Sequence, residues 1–357
     1  MKRKDVSNKA RKLRQTKVEH VGWVTFGIVL ALLLYVEFYG GAADSQAALF
    51  KNFLVIVLCV FVIMKSASFA ITALSHYAKE TGLSQYIIGF LVVSIGTSLP
   101  EFGTAVMSSL AGQGIITVGN VIGASIIDIT VVLGIMAIIG KRIKLKGGLV
   151  RKSALPILAL LILPLILALN GTLSRLDGGL MLVAYLFYIG ILLKNEGGLG
   201  KMKKQVAWKD IWVDMVVFIG CILALLLAAR WMVASSIIIA TELDLPFFFV
   251  GLFLISIGTT IPELVVQVKS VKSGREGLGF GNTFGSIVTN MILILGIAAL
   301  INPITFNVST FIIPAMFLIT SVFIGIVFMR TEEITWQEGI GLLLIYLTFI
   351  MTQIFSM

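Results

Sequence analysis

Charge is scarce in this chain. Of its 357 residues only 13% are Asp, Glu, Lys or Arg, about half the share of an ordinary globular protein, while 58% are hydrophobic. A soluble protein of this length would form two or three domains, and this composition leaves too little polar surface to cover them. Soluble enzymes and nucleic-acid-binding domains are excluded, so the net charge of +10 needs another explanation. Cysteine is nearly absent as well. Cys59 and Cys221 lie inside apolar runs with neither disulfide nor metal-site spacing, which excludes a secreted disulfide scaffold and leaves two small buried hydrophobes. Histidine occurs twice, as His20 and His76, outside every motif below, and neither is assigned a role.

What the chain has instead is apolar runs of about 18–25 residues, the length a helix needs to cross a bilayer. The pattern predicts eleven membrane helices, at 21–39, 51–75, 83–111, 115–139, 153–170, 176–194, 211–240, 246–271, 278–301, 308–329 and 336–356. Lysine and arginine orient them. With the N-terminus in the cytoplasm, 24 of the 28 basic residues fall on the cytoplasmic side and only Lys51 and Arg175 on the other, the asymmetry of the positive-inside rule. The expectation is a multi-pass protein of the cell membrane with a basic cytoplasmic tail at 1–20 and an external C-terminus. Basic residues before the first run also suit a signal peptide, but the tail is long and no small-residue cleavage site follows cleanly; run 21–39 reads as a retained extra helix. Lys65 and Arg230, inside spans, read as snorkelling or as pairing at a water-facing surface.

An internal repeat decides the architecture. Gly89–Glu101 (GFLVVSIGTSLPE) returns as Gly251–Glu263 (GLFLISIGTTIPE), and Gly119–Asp128 (GNVIGASIID) as Gly281–Asn290 (GNTFGSIVTN), both at an offset of 162 residues. Between 89–135 and 251–297, 16 of 47 positions are identical without a gap. Three spans separate the copies, so they cross the membrane in opposite directions. Inverted repeats of this kind are a signature of secondary transporters, with the ion site near the midplane where the copies meet. The division expected is a first half at 51–194, a cytoplasmic linker at 195–210 and a second, inverted half at 211–356.

Proline breaks a helix by lacking an N–H and crowding the preceding turn, so Gly96–Glu101 and Gly258–Glu263 predict two interrupted helices. Carbonyls freed in this way are tolerated in a membrane only where they line a cavity or bind something. Glu101 and Glu263 stand in the first turn after each break, about midway along their runs, with no Lys or Arg at helical spacing. A mid-membrane carboxylate costs at least about 2.5–3.5 kcal/mol, and keeping it at two symmetry-related places points to function. Two carboxylates, bare carbonyls and the hydroxyls of Thr97, Ser98, Thr259 and Thr260 make a set of hard oxygen ligands suited to Ca²⁺ and to Na⁺. Glu37, near a span end, reads as an interfacial residue.

The second motif adds Asp128 and, at the equivalent position, Asn290. Gly119/Gly123 and Gly281/Gly285 are small-xxx-small pairs whose role is close helix packing, letting Asp128, Asn290 and Ser286 approach the Glu-bearing helices. Asn120 and Asn282 read either as ligands or as side chains hydrogen-bonding exposed backbone at a helix start, with the second reading preferred.

GTSLPE and GTTIPE, each followed by a Gly-Asn-x-x-Gly segment, resemble the two alpha-repeats of the calcium/cation antiporter superfamily, most closely its prokaryotic sodium/calcium exchanger branch. The resemblance covers residues 51–356. It implies an all-α inverted-repeat core of ten helices, discontinuous at the ion site, to which helix 21–39 is an addition. It implies that Glu101 and Glu263 hold Ca²⁺ with the carbonyls of Thr97 and Thr259. Na⁺ would use the same carboxylates with Ser98, Thr260, Ser286, Asp128, Asn290 and carbonyls near Ser94 and Ser256. The long helices 51–75 and 211–240 would be the sliding gate pair. Three departures stand out: Ala124 occupies a place where the prokaryotic exchangers usually carry Ser, the usual Asn and Asp are exchanged as Asp128 and Asn290, and Ala124-Ser125 and Ser286-Ile287 replace the common Ser-Asn pair. The expected activity is Ca²⁺ antiport against Na⁺, with H⁺ as the alternative counter-ion. No catalytic residue, cofactor, nucleic acid or obligate protein partner is expected. A channel would need a pore of repeated charges or carbonyls, and an intramembrane hydrolase a nucleophile with its base or a paired catalytic acid set; neither fits an inverted repeat with acids beside carbonyl-rich breaks.

Overall fold

The computed structural model describes residues 25–36, 45–78, 88–144, 148–195, 208–331 and 333–356. The basic tail 1–20 and most of the linker 195–210 lie outside them. Helix follows helix, as the apolar runs require: α1 (Thr25–Val36), α2 (Ser45–Ala78), α3 (Ser94–Thr97, continuing a π-helical stretch Ile88–Val93), α4 (Leu99–Leu110), α5 (Gly114–Gly140), α6 (Gly148–Leu167), α7 (Arg175–Asn195) and α8 (Trp208–Glu242). Then come α9 (Ser256–Thr259, continuing a π-helical stretch Val250–Ile255), α10 (Ile261–Lys272), α11 (Glu276–Ile301), α12 (Val308–Thr331) and α13 (Trp336–Ser356). Among the described residues nine helices are long and apolar enough to cross a membrane, and the bent pair Phe90–Thr97 with Leu99–Leu110 makes a tenth. Those ten match the expected core span for span.

The described part of the extra helix, α1, is shorter than a membrane crossing; the rest of 21–39 lies outside the described residues. It packs on α2, with Phe26 edge-on to Phe69 at 6.0 Å and Leu33 fully buried among residues of α2 and α8. Those two long helices form the most extensive helix pair among the described residues. The remaining helices enclose a second, larger core in which Phe280, Phe284, Phe90 and Leu133 have almost no exposure.

Short β ribbons, absent from the all-α expectation, tie the connections together. β1 (Arg142–Lys144) pairs antiparallel with β4 (Glu333–Thr335), reinforced by an exposed Arg142–Glu333 ion pair, and β2 (Thr172–Leu173) pairs with β3 (Ile304–Thr305). Each ribbon joins two connections that the alternation of spans assigns to one face, so the described helices cross in the order the sequence implies. Lys65 is half-buried with its ammonium 5.6 Å from the Phe61 ring centroid, and Arg230 is exposed on α8. Both cysteines are buried, and neither forms a disulfide.

Candidate ion-binding site

The first break is where the proline places it. Ser98 leaves the helical ψ range (ψ 5°), Pro100 takes the second position of α4, and the axis turns by 51° between the two halves. Pro100 has no N–H to return to the carbonyl of Gly96. The second break is gentler than the symmetric reading expects. Thr260 has ψ −4° and Pro262 again stands at the second position of α10, but Phe247–Lys272 counts as one span without a sharp bend. The breaks differ in side-chain bonding as well: Thr260 Oγ1 donates to the Ser256 carbonyl at 2.7 Å, whereas Ser98 Oγ makes no such bond.

Gly119, Gly123 and Gly285 pack as expected, each against the opposite repeat. Gly119 and Gly251 face one another so closely that a Cβ on Gly119 would meet the backbone of Phe248 and Leu252, and one on Gly251 the backbone of Ile116 and Asn120. Gly123 lies against Leu252 and Ser256, and Gly285 against Phe90 and Ser94. Backbone contact at this range pins α5 to the helix before Glu263 and α11 to the helix before Glu101.

Four π-helical stretches, which sequence periodicity does not reveal, sit around the same centre: Ile88–Val93, Asp128–Val132, Val250–Ile255 and Thr289–Ile294. They recur at close to the repeat offset. Such bulges are rare and concentrate at functional sites; here one begins at Asp128 and another takes in Asn290.

All eleven candidate residues are buried in the interior. Glu101, Glu263, Asp128, Asn290, Thr97, Thr259, Ser98, Thr260, Ser286, Ser94 and Ser256 are each at most 2% exposed. Glu263 lies within electrostatic range of both Glu101 and Asp128. No donor meets any of the six carboxylate oxygens in hydrogen-bonding geometry, and the amide of Asn290 finds neither a donor for Oδ1 nor an acceptor for Nδ2. Thr259 stands beside Glu101 and Thr97 beside Glu263, with their hydroxyls directed elsewhere. Thr97 Oγ1 donates to Asn282 Oδ1 at 3.2 Å and lies 3.3 Å from Ser286 Oγ; Thr259 Oγ1 donates to Asn120 Oδ1 at 3.3 Å. Ala124, in the place of Ser286 on the first repeat, can offer Thr259 no matching hydroxyl. Ser94 and Ser256 point their hydroxyls back to the carbonyls of Phe90 and Leu252.

The two asparagines correct the preferred sequence reading. They lie inside α5 and α11 rather than at helix starts, and they bind threonine side chains of the opposite repeat rather than backbone. Asn120 is held twice, its Nδ2 donating to Thr104 Oγ1 at 2.9 Å; Asn282 Nδ2 has no acceptor, because valine stands at 266, where the repeat would place the counterpart of Thr104.

Among the described residues no three His, Cys, Asp or Glu side chains form a compact metal cluster. A cation here would draw on carbonyl and hydroxyl oxygens besides carboxylates, the donor set that hard cations accept. Buried carboxylate oxygens without donors fit that demand.

Residues 51–194 and 213–355 match the profile of the sodium/calcium exchanger protein family. The chain is 25% identical over 345 residues to the sodium/calcium exchanger MaX1 of Methanosarcina acetivorans, covering 84% of this chain and 97% of that one. It is 29% identical over 259 residues to the inner membrane protein YrbG of Escherichia coli, covering 70% and 79%. The fold is similar to that of the sodium-calcium exchanger NCX_Mj soaked with Na⁺ and Sr²⁺, with a TM-score of 0.64, 25% identity, and coverage of 84% of this chain and 97% of that one. The family match spans both repeats and both carboxylate motifs, and the chain belongs to the sodium/calcium exchanger protein family.

Proposed function

We propose that this protein is a secondary antiporter that moves Ca²⁺ across the cell membrane in exchange for Na⁺. The observation that carries this reading is the pair Glu101 and Glu263: two buried carboxylates without hydrogen-bond donors, each in the first turn after a proline break, on repeats that face each other. Ca²⁺ would sit between them with the carbonyls of Thr97 and Thr259. Na⁺ would share the carboxylates and use Ser98, Thr260, Ser286, Asp128, Asn290 and carbonyls near Ser94 and Ser256. MaX1 and NCX_Mj are both described as sodium/calcium exchangers, which supports the same pair of ions here.

Charge enforces the coupling. Leaving two or three carboxylates bare in the interior costs several kcal/mol each, so the site changes sides only when cations neutralise it. One Ca²⁺ balances two carboxylates; Na⁺ ions do so one by one. The long helices α2 and α8, one from each of the halves 51–194 and 211–356 that the linker 195–210 joins, form the moving pair, which slides against the helices that hold the site. The positive-inside count supports a cytoplasmic N-terminus and an external C-terminus. The second reading, H⁺ as the counter-ion, is favoured by one observation: Asp128 is a third carboxylate without a donor, on the repeat that has lost a hydroxyl at Ala124. Reconstituted vesicles decide. Ca²⁺ uptake driven by an outward Na⁺ gradient at equal pH supports the first reading; uptake driven only by a pH gradient replaces it with the second.

A further inference from the structure

The two repeats differ in the polar layer one helical turn beyond the carboxylates. On the first repeat, residue 105 is alanine, and the nearby hydroxyls of Ser108 and Thr117 meet at 2.5 Å. On the second repeat the position equivalent to Ala105 is Gln267, four residues after Glu263 on the same face of α10. Gln267 is fully buried. Its Nε2 donates to the Gly279 carbonyl at 2.6 Å and to Thr283 Oγ1 at 2.5 Å. A backbone carbonyl can only accept, which fixes that end of the amide as nitrogen. Both N–H groups are then used, and Oε1 is left without any donor. It rests against Gly279, where a Cβ would collide with it; the first-repeat residue at that place is Thr117.

We propose that Gln267 Oε1 is a further cation-binding oxygen, a way-station between Glu263 and the Ser273–Arg275 turn that has no equivalent on the first repeat. A buried carbonyl oxygen without a donor is costly in a membrane interior, and an amide oxygen is a ligand that Na⁺ and Ca²⁺ accept. Two hydrogen bonds hold the amide, so the oxygen is preorganised. Four residues of helix separate it from Glu263 by about 6 Å of rise, a step a partly dehydrated ion can make. Because the repeats are inverted, Gln267 lies on the approach from one membrane face only. The inference rests on the antiport reading and adds that the two faces bind ions unequally.

The test is ⁴⁵Ca²⁺ exchange by the full chain in vesicles of known orientation, with Na⁺ and Ca²⁺ varied separately on each face. For Q267M, half-saturating concentrations are expected to rise about fivefold or more on the Ser273–Arg275 face and to change less than about twofold on the other. G279A leaves the amide in place but displaces its oxygen, and should shift the same face in the same direction; it decides the matter if Q267M does not fold. Equal shifts on both faces, no shift, or a loss of maximal rate alone would overturn the proposal. Failure of the parent protein to exchange Ca²⁺ would instead overturn the functional reading beneath it.

Discussion

The hydroxyl of Thr97, on the first repeat, donates to the amide oxygen of Asn282, on the second, across 3.2 Å. Thr259 and Asn120 repeat the bond in the other direction at 3.3 Å. The two break-bearing helices are thus each tied to the Gly-Asn helix of the opposite repeat, and the carboxylates stand beside these ties.

The ties are unequal, which gives a stability prediction. Replacing Thr104 by Val leaves Asn120 Nδ2 buried without an acceptor and should cost about 1–3 kcal/mol. Replacing Val266 by Thr offers Asn282 Nδ2 the partner it lacks and should stabilise by about 1 kcal/mol. Thermal unfolding in detergent reads both, and a V266T protein less stable than its parent would contradict the repeat-based placement.

Glycine contacts make a second prediction. G119A puts a methyl group into the backbone of Phe248 and 2.9 Å from Leu252 N, an overpacking expected to cost about 1–3 kcal/mol. Gly220, in the middle of α8, has open space within 4 Å of where an alanine methyl would sit; G220A should be neutral or stabilise by up to about 1 kcal/mol, since alanine is the better helix former. Melting temperatures that failed to separate the two variants would refute the close packing of α5 on the stretch before α9.

Much of this was legible in the sequence, for reasons the structure makes plain. The apolar runs set the spans because hydrocarbon admits helices of little else, and the 162-residue offset located Glu101 and Glu263 because each repeat keeps Pro and Glu at one spacing. Gly119 and Gly123 signalled packing because only glycine admits backbone at that range. The π-helical stretches were hidden, since an i→i+5 bond leaves no side-chain signature. The partners of Asn120 and Asn282 were hidden because they depend on which helices meet across the repeats. The straighter second break was hidden as well, since both motifs place Pro and Glu at one spacing, and so was the rotamer by which Thr260, unlike Ser98, returns its hydroxyl to the carbonyl four residues back.

Topology yields a third prediction. In a background with Cys59 and Cys221 replaced, single cysteines at Thr172 and Thr305 should react with an impermeant thiol reagent from outside intact cells, while cysteines at Arg142 and Thr335 should react only after permeabilisation. The ribbons pair Thr172 with Thr305 and Arg142 with Thr335, so a split labelling within either pair contradicts the fold. Reversal of both pairs together contradicts the orientation only.

Counter-ion choice is open to a single hydroxyl. A124S restores, on the first repeat, the group that Ser286 supplies 3.3 Å from Thr97 on the second. If Na⁺ is the coupling ion, A124S should lower its half-saturating concentration by about two- to tenfold, equivalent to up to about 1.4 kcal/mol, with little effect on Ca²⁺. An unchanged Na⁺ dependence would take sodium away from this position.

An ion site built on Glu101 and Glu263 is tested most directly by Na⁺-gradient-driven ⁴⁵Ca²⁺ uptake in reconstituted parent, E101Q and E263Q proteins at matched vesicle density. The substitutions keep shape and remove charge at the two carboxylates that meet no donor. Robust uptake by the parent and a loss of at least about tenfold in each variant are expected. Uptake by either variant at the parent's rate is incompatible with that site.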